Sequence, residues 1–214
     1  MTEVWDLPLR LFHWALVLLV VSQVVTAWIG GNALEYHALG GYAILALVLF
    51  RLVWGFLGGT HARCADFVGG PASVLTYAKA LWSGAAADHR GHNPLGGWSV
   101  LAMLASLLAQ ACTGLFANDD VMMEGPLVKH VSGRISEIAT AIHDVNAVIL
   151  MALISLHILA VLFYLFGKKQ NLILPMINGR KSSGVNSHAT GGGAGLAARL
   201  RAGAAVIVYL IVSF

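Results

Sequence analysis

Charged side chains are scarce in this chain of 214 residues. Aspartate, glutamate, lysine and arginine together make up 11% of the sequence, whereas hydrophobic residues make up 58%. Soluble domains average about 25% charged and about 45–50% apolar residues. The composition excludes a disordered chain, a collagen and a coiled coil, and it is too apolar for one soluble domain of this length. The sequence therefore predicts an integral membrane protein.

Cysteine is also rare. Cys64 and Cys112 lie far apart, and neither belongs to a C-x-x-C or C-x-x-C-H motif. This spacing excludes covalently attached c-type haem, a zinc ribbon and a disulfide scaffold, so we interpret both as small apolar residues. The N-terminal apolar run has acidic residues before it and no clear small-residue cleavage site, so a cleaved signal peptide is not expected.

The small basic excess allows two interpretations. A net charge of +3 could suggest nucleic acid as a partner, but the 13 lysines and arginines are spread thinly among apolar runs. A membrane protein with basic loops on one side explains this distribution better. The predicted surroundings are therefore membrane lipid, with no nucleic-acid partner.

Four apolar runs are long enough to cross a membrane, since a bilayer core about 30 Å thick needs about 20 helical residues. The predicted spans lie near residues 11–30, 37–57, 94–116 and 142–167. Residues 182–195 are rich in Gly, Ser, Asn and His, which predicts a flexible linker. Residues 196–214 form a short apolar segment, either a tilted fifth helix or an interfacial one. The predicted fold is all-α: a four-helix transmembrane bundle with a possible fifth C-terminal apolar helix.

Basic residues in the loops predict the orientation. Under a four-span arrangement, one side carries Arg10, Arg63, Lys79, Arg90, Lys168, Lys169, Arg180 and Lys181. The other side carries Lys129 and Arg134, beside Glu35, Asp119, Asp120, Glu124 and Glu137. The positive-inside rule places the N-terminus and the 58–93 loop in the cytoplasm. Within that loop, the segment VLTYAKALW predicts an interfacial helix.

Histidines inside apolar spans are rare, because an imidazole in hydrocarbon needs a partner. Four of the nine fall there: His13, His37, His143 and His157. His143 and His157 are fourteen residues apart, so their rings face the same way and lie about 21 Å apart along the helix. Antiparallel spans then bring His13 to the level of His157, and His37 to the level of His143.

Two depth-matched pairs of imidazoles fit two haem irons, each ligated on both faces and stacked along a four-helix bundle. Two other interpretations stay open. Intramembrane histidines also form hydrogen bonds between helices, and imidazole suits a copper or zinc path. On the third span, a polar stripe is predicted to face the bundle: Ser99, Ser106, Gln110 and Thr113.

Glycines and arginines near the histidines fit the haem interpretation. Gly40 and Gly41 follow His37 on its helix face and would let a flat macrocycle approach the backbone. Arg51 shares that face at the inner level, where a haem propionate would be a natural counter-ion. Arg10, three residues before His13, could serve the same group.

With these residues the chain resembles the bacterial cytochrome b561 / nickel–iron hydrogenase b-type cytochrome subunit family. The motifs are VWDLPLRLFHW, YHALGGYAILALVLFRLVWGF, GHNPLGGW and IHDVNAVILMALISLHILAVLFY with NLILPMINGRK, over roughly residues 4–181. The resemblance implies a di-haem transmembrane domain over residues 1–181, with His13/His157 holding an inner b haem and His37/His143 an outer one. It also implies electron transfer between a periplasmic redox partner and the quinone pool of the bacterial inner membrane.

The resemblance further implies a quinone site near the inner haem, at the start of the third span. It would involve Asn93, with His92 and Gly96 as further candidates. A simpler interpretation is a helix N-terminus, with Asn93 as the capping residue and Pro94 in the first helical position. We favour capping over direct quinone contact.

The partner and the direction of electron flow are open at this point. A nickel–iron hydrogenase, another dehydrogenase or a c-type cytochrome would each suit the family. The rival functions are a histidine-lined metal transporter and a non-redox membrane anchor of a complex. The outer 117–141 loop is acidic, which fits either a basic partner or a solvated loop.

Overall fold

The computed structural model describes residues 2–58, 63, 68–83, 93–121 and 123–181. Its helices are α1 (Leu7–Ile29), α2 (Ala33–Leu57), α3 (Pro71–Trp82), α4 (Pro94–Gly114), α5 (Gly133–Leu162) and α6 (Ile173–Asn178). A π-helical turn, Phe163–Gly167, continues α5. By length and composition, α1, α2, α4 and α5 with its π turn can cross a membrane, which confirms the prediction of four spans. The predicted linker 182–195 and segment 196–214 lie outside the described residues.

Three spans begin earlier than predicted, and one of them is α2, which starts at Ala33 rather than near residue 37. Helix α1 starts at Leu7 rather than near residue 11, because Asp6 caps it: its carboxylate accepts a hydrogen bond of 2.9 Å from the Leu9 amide. Helix α5 starts at Gly133 rather than near residue 142. The polar residues from Gly133 up to residue 142 were predicted to belong to a loop, but they form helical turns of α5 that project beyond its apolar span.

The projecting part of α5 anchors the loop before it. From Gly133 to Gly167 the helix has 35 residues, which gives a length of about 52 Å against a hydrocarbon core of about 30 Å. The Ser136 hydroxyl donates to the Phe116 carbonyl at 2.8 Å, and Thr140 Oγ1 accepts from the Asn118 amide at 3.0 Å. These bonds hold the 115–132 connection against the end of the bundle.

The four spans form two antiparallel hairpins, α1/α2 and α4/α5, which meet where α2 packs on α4. The first hairpin turns at Gly30 and Gly31, whose φ angles of +67° and +55° suit glycine. Apolar side chains fill the interior in two clusters, one around Phe12 and Leu104 and the other around Val48 and Leu150. The predicted helix in the 58–93 loop is α3.

A short two-stranded ladder joins the two ends of the bundle domain, and it was not predicted. Strand β1 (Thr2–Glu3) pairs antiparallel with β2 (Arg180–Lys181). Next to it, the Arg10 guanidinium donates to the Ile177 carbonyl at 2.6 Å, and the Trp14 indole donates to the Met176 carbonyl at 3.1 Å. The start of α1 and the end of the described chain therefore lie on one side of the bundle, as an even number of spans requires.

Asp6 links the first two spans, since its second carboxylate oxygen accepts from the Trp54 indole at 3.1 Å. We expect Asp6→Ala to lower the free energy of unfolding by about 1–3 kcal/mol, because the substitution removes a helix cap and leaves a part-buried indole donor without its acceptor. Thermal unfolding in detergent measures this change. Glu137→Ala, at an exposed position of α5, is the control, and equal melting temperatures for the two variants would contradict the role of Asp6.

Candidate functional site

The structure brings the rings of His37 on α2 and His143 on α5 close together across the bundle. Their ring centroids are 6.3 Å apart and the ring planes meet at 74°. A metal–imidazole bond is about 2 Å long. With about 1 Å more from each nitrogen to its ring centre, two imidazoles on opposite sides of one metal have centroids about 6 Å apart. The separation of the rings therefore matches that of two ligands on one metal.

Hydrogen bonds at Nδ1 determine which nitrogen of the His37 and His143 rings is available to bind a metal. Nδ1 of His37 lies 3.2 Å from the Gln23 carbonyl oxygen, and Nδ1 of His143 lies 3.0 Å from the Gln110 carbonyl oxygen. A carbonyl can only accept, so both Nδ1 atoms carry the hydrogen. The Nε2 atoms then keep their lone pairs, which is the arrangement that metal-ligating histidines adopt.

His13 of α1 and His157 of α5 form the second pair. They lie near enough to interact electrostatically, and the His13 ring contacts Trp14 edge-on at 5.2 Å. Nδ1 of His13 is buried and has no hydrogen-bond partner among the described residues. Because His143 and His157 share α5, that helix contributes one histidine to each pair.

Two arginines, Arg51 and Arg10, are the candidate partners for haem propionates at the inner level. The Arg51 side chain on α2 is 2% exposed, so its charge lies inside the bundle. Arg10 uses one guanidinium nitrogen on the Ile177 carbonyl, while its Nε is buried without a partner in the described part of the chain. Contact of either residue with a propionate stays a prediction.

The glycines that follow His37 face α1. A Cβ added to Gly40 would collide with the side-chain amide nitrogen of Gln23, and one added to Gly41 would lie 3.9 Å from the Gln23 amide oxygen. That amide nitrogen is buried and without a partner among the residues described. Gln23 was not predicted as a site residue, although polar residues inside apolar spans are commonly functional.

A polar network lies between α4 and α5, one helical turn from His143. The Ser106 hydroxyl donates to the Asn146 amide oxygen at 2.9 Å, and the Asn146 amide nitrogen donates to the Gln110 side chain at 2.6 Å and to the Ser106 carbonyl at 3.0 Å. Three members of the predicted stripe, Ser106, Gln110 and Thr113, thus face α5. Their proximity to His143 was not predicted from the sequence.

The start of α4 forms a second polar group, here called the tyrosine cluster: Asn93, Tyr77 and Tyr164. Asn93 caps α4 by accepting from the Gly96 amide at 2.7 Å, in agreement with the capping interpretation. Its amide nitrogen donates to the Tyr164 hydroxyl at 2.9 Å, and that hydroxyl lies 2.8 Å from the Tyr77 hydroxyl. Tyr164 sits in the π turn, a feature often found at functional sites. The tyrosines were missed because they come from separate elements, and His92 lies outside the described residues.

The donors present fit haem better than a tetrahedral metal. In the described ranges, no group of three or more His, Cys, Asp or Glu side chains could hold a metal ion, whereas zinc takes three or four protein ligands. Imidazole is a common ligand of haem iron, and a pair of imidazoles is enough to hold it. Two buried nitrogens, Arg10 Nε and Gln23 Nε2, have no hydrogen-bond partner among the described residues, and they are donors of the kind that haem propionates accept from.

Comparisons with known proteins agree with this chemistry. Residues 4–179 match the family model of prokaryotic cytochrome b561. Relatives from Azotobacter vinelandii and Azotobacter chroococcum mcd 1, both named "Probable Ni/Fe-hydrogenase B-type cytochrome subunit", are 31% identical over 119 residues, covering 44% of this chain and 49% of each relative. The chain thus matches about half the length of these curated relatives, and no solved structure matches. The matches confirm the predicted resemblance and indicate membrane electron transfer with b haem.

A substitution at Gly114 of α4 tests how closely this helix packs against the His143 ring. A Cβ at Gly114 would lie 3.0 Å from Cε1 of the His143 ring and 3.4 Å from its Nδ1, so the ring would have to move by a few tenths of an ångström. We expect Gly114→Ala to lower the haem retained per chain after purification, as measured by absorbance. Gly133→Ala, where a Cβ meets nothing within 4 Å, is the control. Wild-type haem content and spectrum in Gly114→Ala would contradict this contact.

Proposed function

Since the chain belongs to the prokaryotic cytochrome b561 family, we propose that it carries electrons across the bacterial inner membrane through two b haems. His37 and His143 would hold the outer haem, and His13 and His157 the inner one. The observation that carries the proposal is the 6.3 Å separation of the His37 and His143 rings. The orientation of their Nδ1 atoms toward backbone carbonyls supports it.

Bound haem iron supplies a centre that gains and loses one electron. The protein contributes the surroundings: four imidazoles from three helices would hold the haem irons in pairs, which would suit electron transfer rather than the binding of oxygen or peroxide. The helices hold these imidazoles in an apolar layer and exclude water. The guanidinium of Arg51, which is buried, and that of Arg10, whose Nε has no partner in the described part of the chain, would neutralise propionates and tune the potential. Gly40 and Gly41, with Gln23 over them, would line the outer site.

We place the N-terminus in the cytoplasm, following the positive-inside rule. The His37/His143 pair then lies toward the periplasm and would exchange electrons with a periplasmic redox protein. The relatives' names suggest a hydrogenase as that partner, and another dehydrogenase or a c-type cytochrome would present the same one-electron chemistry. Exposed Asp119, Asp120 and Glu124 give the outer surface an acidic patch that suits a basic partner.

We propose that quinone reacts on the opposite side, beside the tyrosine cluster. Asn93 and Tyr164 lie at the same end of the bundle as His13 and His157, since α4 begins there and α5 ends there. Quinone carbonyls accept hydrogen bonds, and the two tyrosine hydroxyls and the Asn93 amide are donors in contact with one another. Lys168 Nζ lies 5.4 Å from the centre of the Tyr164 ring and adds positive charge near the same group.

Single substitutions of the α5 histidines test the two-haem assignment. We expect His143→Ala to remove the outer haem alone and His157→Ala to remove the inner haem alone, because each ligand lies at one level only. Each variant should keep about half of the reduced low-spin b absorption, with a different half lost in the two cases. His130→Ala, at an exposed position outside the spans, should keep both haems.

The same spectra separate the rival functions. Loss of the same absorption in both variants would show that the two histidines do not serve separate haems. A colourless wild-type protein would end the proposal and leave the histidine-lined transporter or the non-redox anchor as the better account.

Tyr164→Phe tests the quinone site. The substitution keeps the ring but removes the hydroxyl that contacts Asn93 and Tyr77, so we expect slower electron exchange with a soluble quinone analogue while both haems stay bound. Stopped-flow reduction, followed at the haem bands, measures this rate. Tyr36→Phe, whose side chain is 67% exposed on α2, is the matched control. An unchanged rate in Tyr164→Phe would place quinone elsewhere.

A further inference from the structure

The sequence Q-x-x-T occurs in the first helix of each hairpin, as Gln23–Thr26 in α1 and as Gln110–Thr113 in α4. The two turns have nearly the same geometry. Thr26 Oγ1 donates to the Ser22 carbonyl at 2.7 Å, and Thr113 Oγ1 donates to the Ala109 carbonyl at 2.7 Å. Each hydroxyl oxygen lies 3.2 Å from the glutamine carbonyl three residues before it. Each turn faces a histidine on the second helix of its own hairpin.

The hydroxyl and the carbonyl of each turn converge on one ring nitrogen. Thr26 Oγ1 lies 3.4 Å from Nδ1 of His37, and Thr113 Oγ1 lies 3.3 Å from Nδ1 of His143. A hydroxyl has one hydrogen, and here it points to the carbonyl four residues back in the same helix. The oxygen is therefore left to accept, so each Nδ1–H meets two acceptors, the threonine oxygen and the glutamine carbonyl.

We propose that the two Q-x-x-T turns are positioning elements for the outer haem. They hold the His37 and His143 rings in the Nδ1–H tautomer and strengthen Nε2 as a donor to iron. A hydrogen bond that withdraws the Nδ1 proton makes the imidazole more basic. A more basic axial ligand stabilises ferric iron, so these turns lower the reduction potential of the outer haem. This inference rests on the proposed two-haem function.

The inner pair supplies an internal comparison. Nδ1 of His13 is buried and, in the part of the chain that the structure describes, contacts neither a carbonyl nor a hydroxyl. The chain has three glutamines, and Gln170, the third, is not followed by threonine at the same spacing. Among the described residues, both rings of the outer pair have the paired acceptors and His13 of the inner pair has none, so removing these acceptors should leave the inner haem unaffected.

Threonine-to-valine substitutions remove the acceptor while keeping the shape of the side chain. We expect Thr26→Val and Thr113→Val each to move the outer haem to a higher midpoint potential and to change the g values of its ferric electron paramagnetic resonance signal. The double variant should shift further than either single variant, and the inner haem should titrate as in the wild type. The backbone carbonyls of Gln23 and Gln110 remain, so the outer haem should stay bound.

Serine variants and a distant threonine are the controls. Thr26→Ser and Thr113→Ser keep the hydroxyl and should restore the wild-type potential and g values, which a merely structural role for the side chain does not predict. Thr76→Val removes a hydroxyl that donates to the Ala72 carbonyl at 2.9 Å on α3, and it should change neither haem.

The outcomes separate this inference from the proposed function. If both haems are bound and the valine variants titrate as the wild type does, the positioning role is wrong and the two-haem assignment stands. If valine releases the outer haem and serine retains it, the role of the hydroxyl is supported, whereas release by both overturns it. If the wild type holds no haem between His37 and His143, both the proposed function and this inference fail.

Discussion

An imidazole inside a hydrocarbon layer is costly unless its nitrogens have partners, and the His37/His143 pair shows how the bundle supplies them. For His37 and His143, one nitrogen is bound by a carbonyl of a neighbouring helix. The other nitrogen then needs a partner in the space between the helices. Two such rings with centroids 6.3 Å apart leave room for one metal between them. The packing of the apolar helices thus positions the His37 and His143 rings as two ligands for one metal.

Helix α5 sets the distance between the two levels of histidines. It carries His143 and His157 on one face, about 21 Å apart along its axis, so one helix contributes to both levels. The first hairpin carries the other two histidines, on α1 and α2, and the contact between α2 and α4 holds the two hairpins together. The ladder between β1 and β2 closes the side where α1 begins. The two haems that we propose would then lie near the two membrane surfaces, where an electron could pass from one to the other across the apolar layer.

The spans and the pairing levels of the four histidines were accessible from the sequence, because apolar length and a fourteen-residue spacing are periodic signals. The start of α5 was not, since Ser136 and Thr140 look like loop residues until their bonds to the Phe116 carbonyl and the Asn118 amide are known. Asn93 was predicted as a cap, and the structure agrees. The hydrogen bonds of Ser136 and Thr140 join residues far apart in the chain, and they produce no periodic pattern in the sequence from which they could be predicted.

The neighbours of the histidines were the hardest part to predict. Gln23 and Gln110 contact the histidines through their backbone carbonyls. Every residue has a backbone carbonyl, so this role cannot be predicted from the residue type. Their threonines repeat at the same spacing, but the repeat gains meaning only when each hydroxyl is seen to face a ring nitrogen. Tyr77 and Tyr164 come from α3 and the π turn, far apart in sequence, and meet only through tertiary packing.

The central claim is that this chain holds two haems in a single bundle. Its most direct test is the haem content of the purified full-length protein, measured as pyridine haemochrome against protein concentration from amino-acid analysis. The account predicts two b haems per chain. A ratio of one or zero would contradict it.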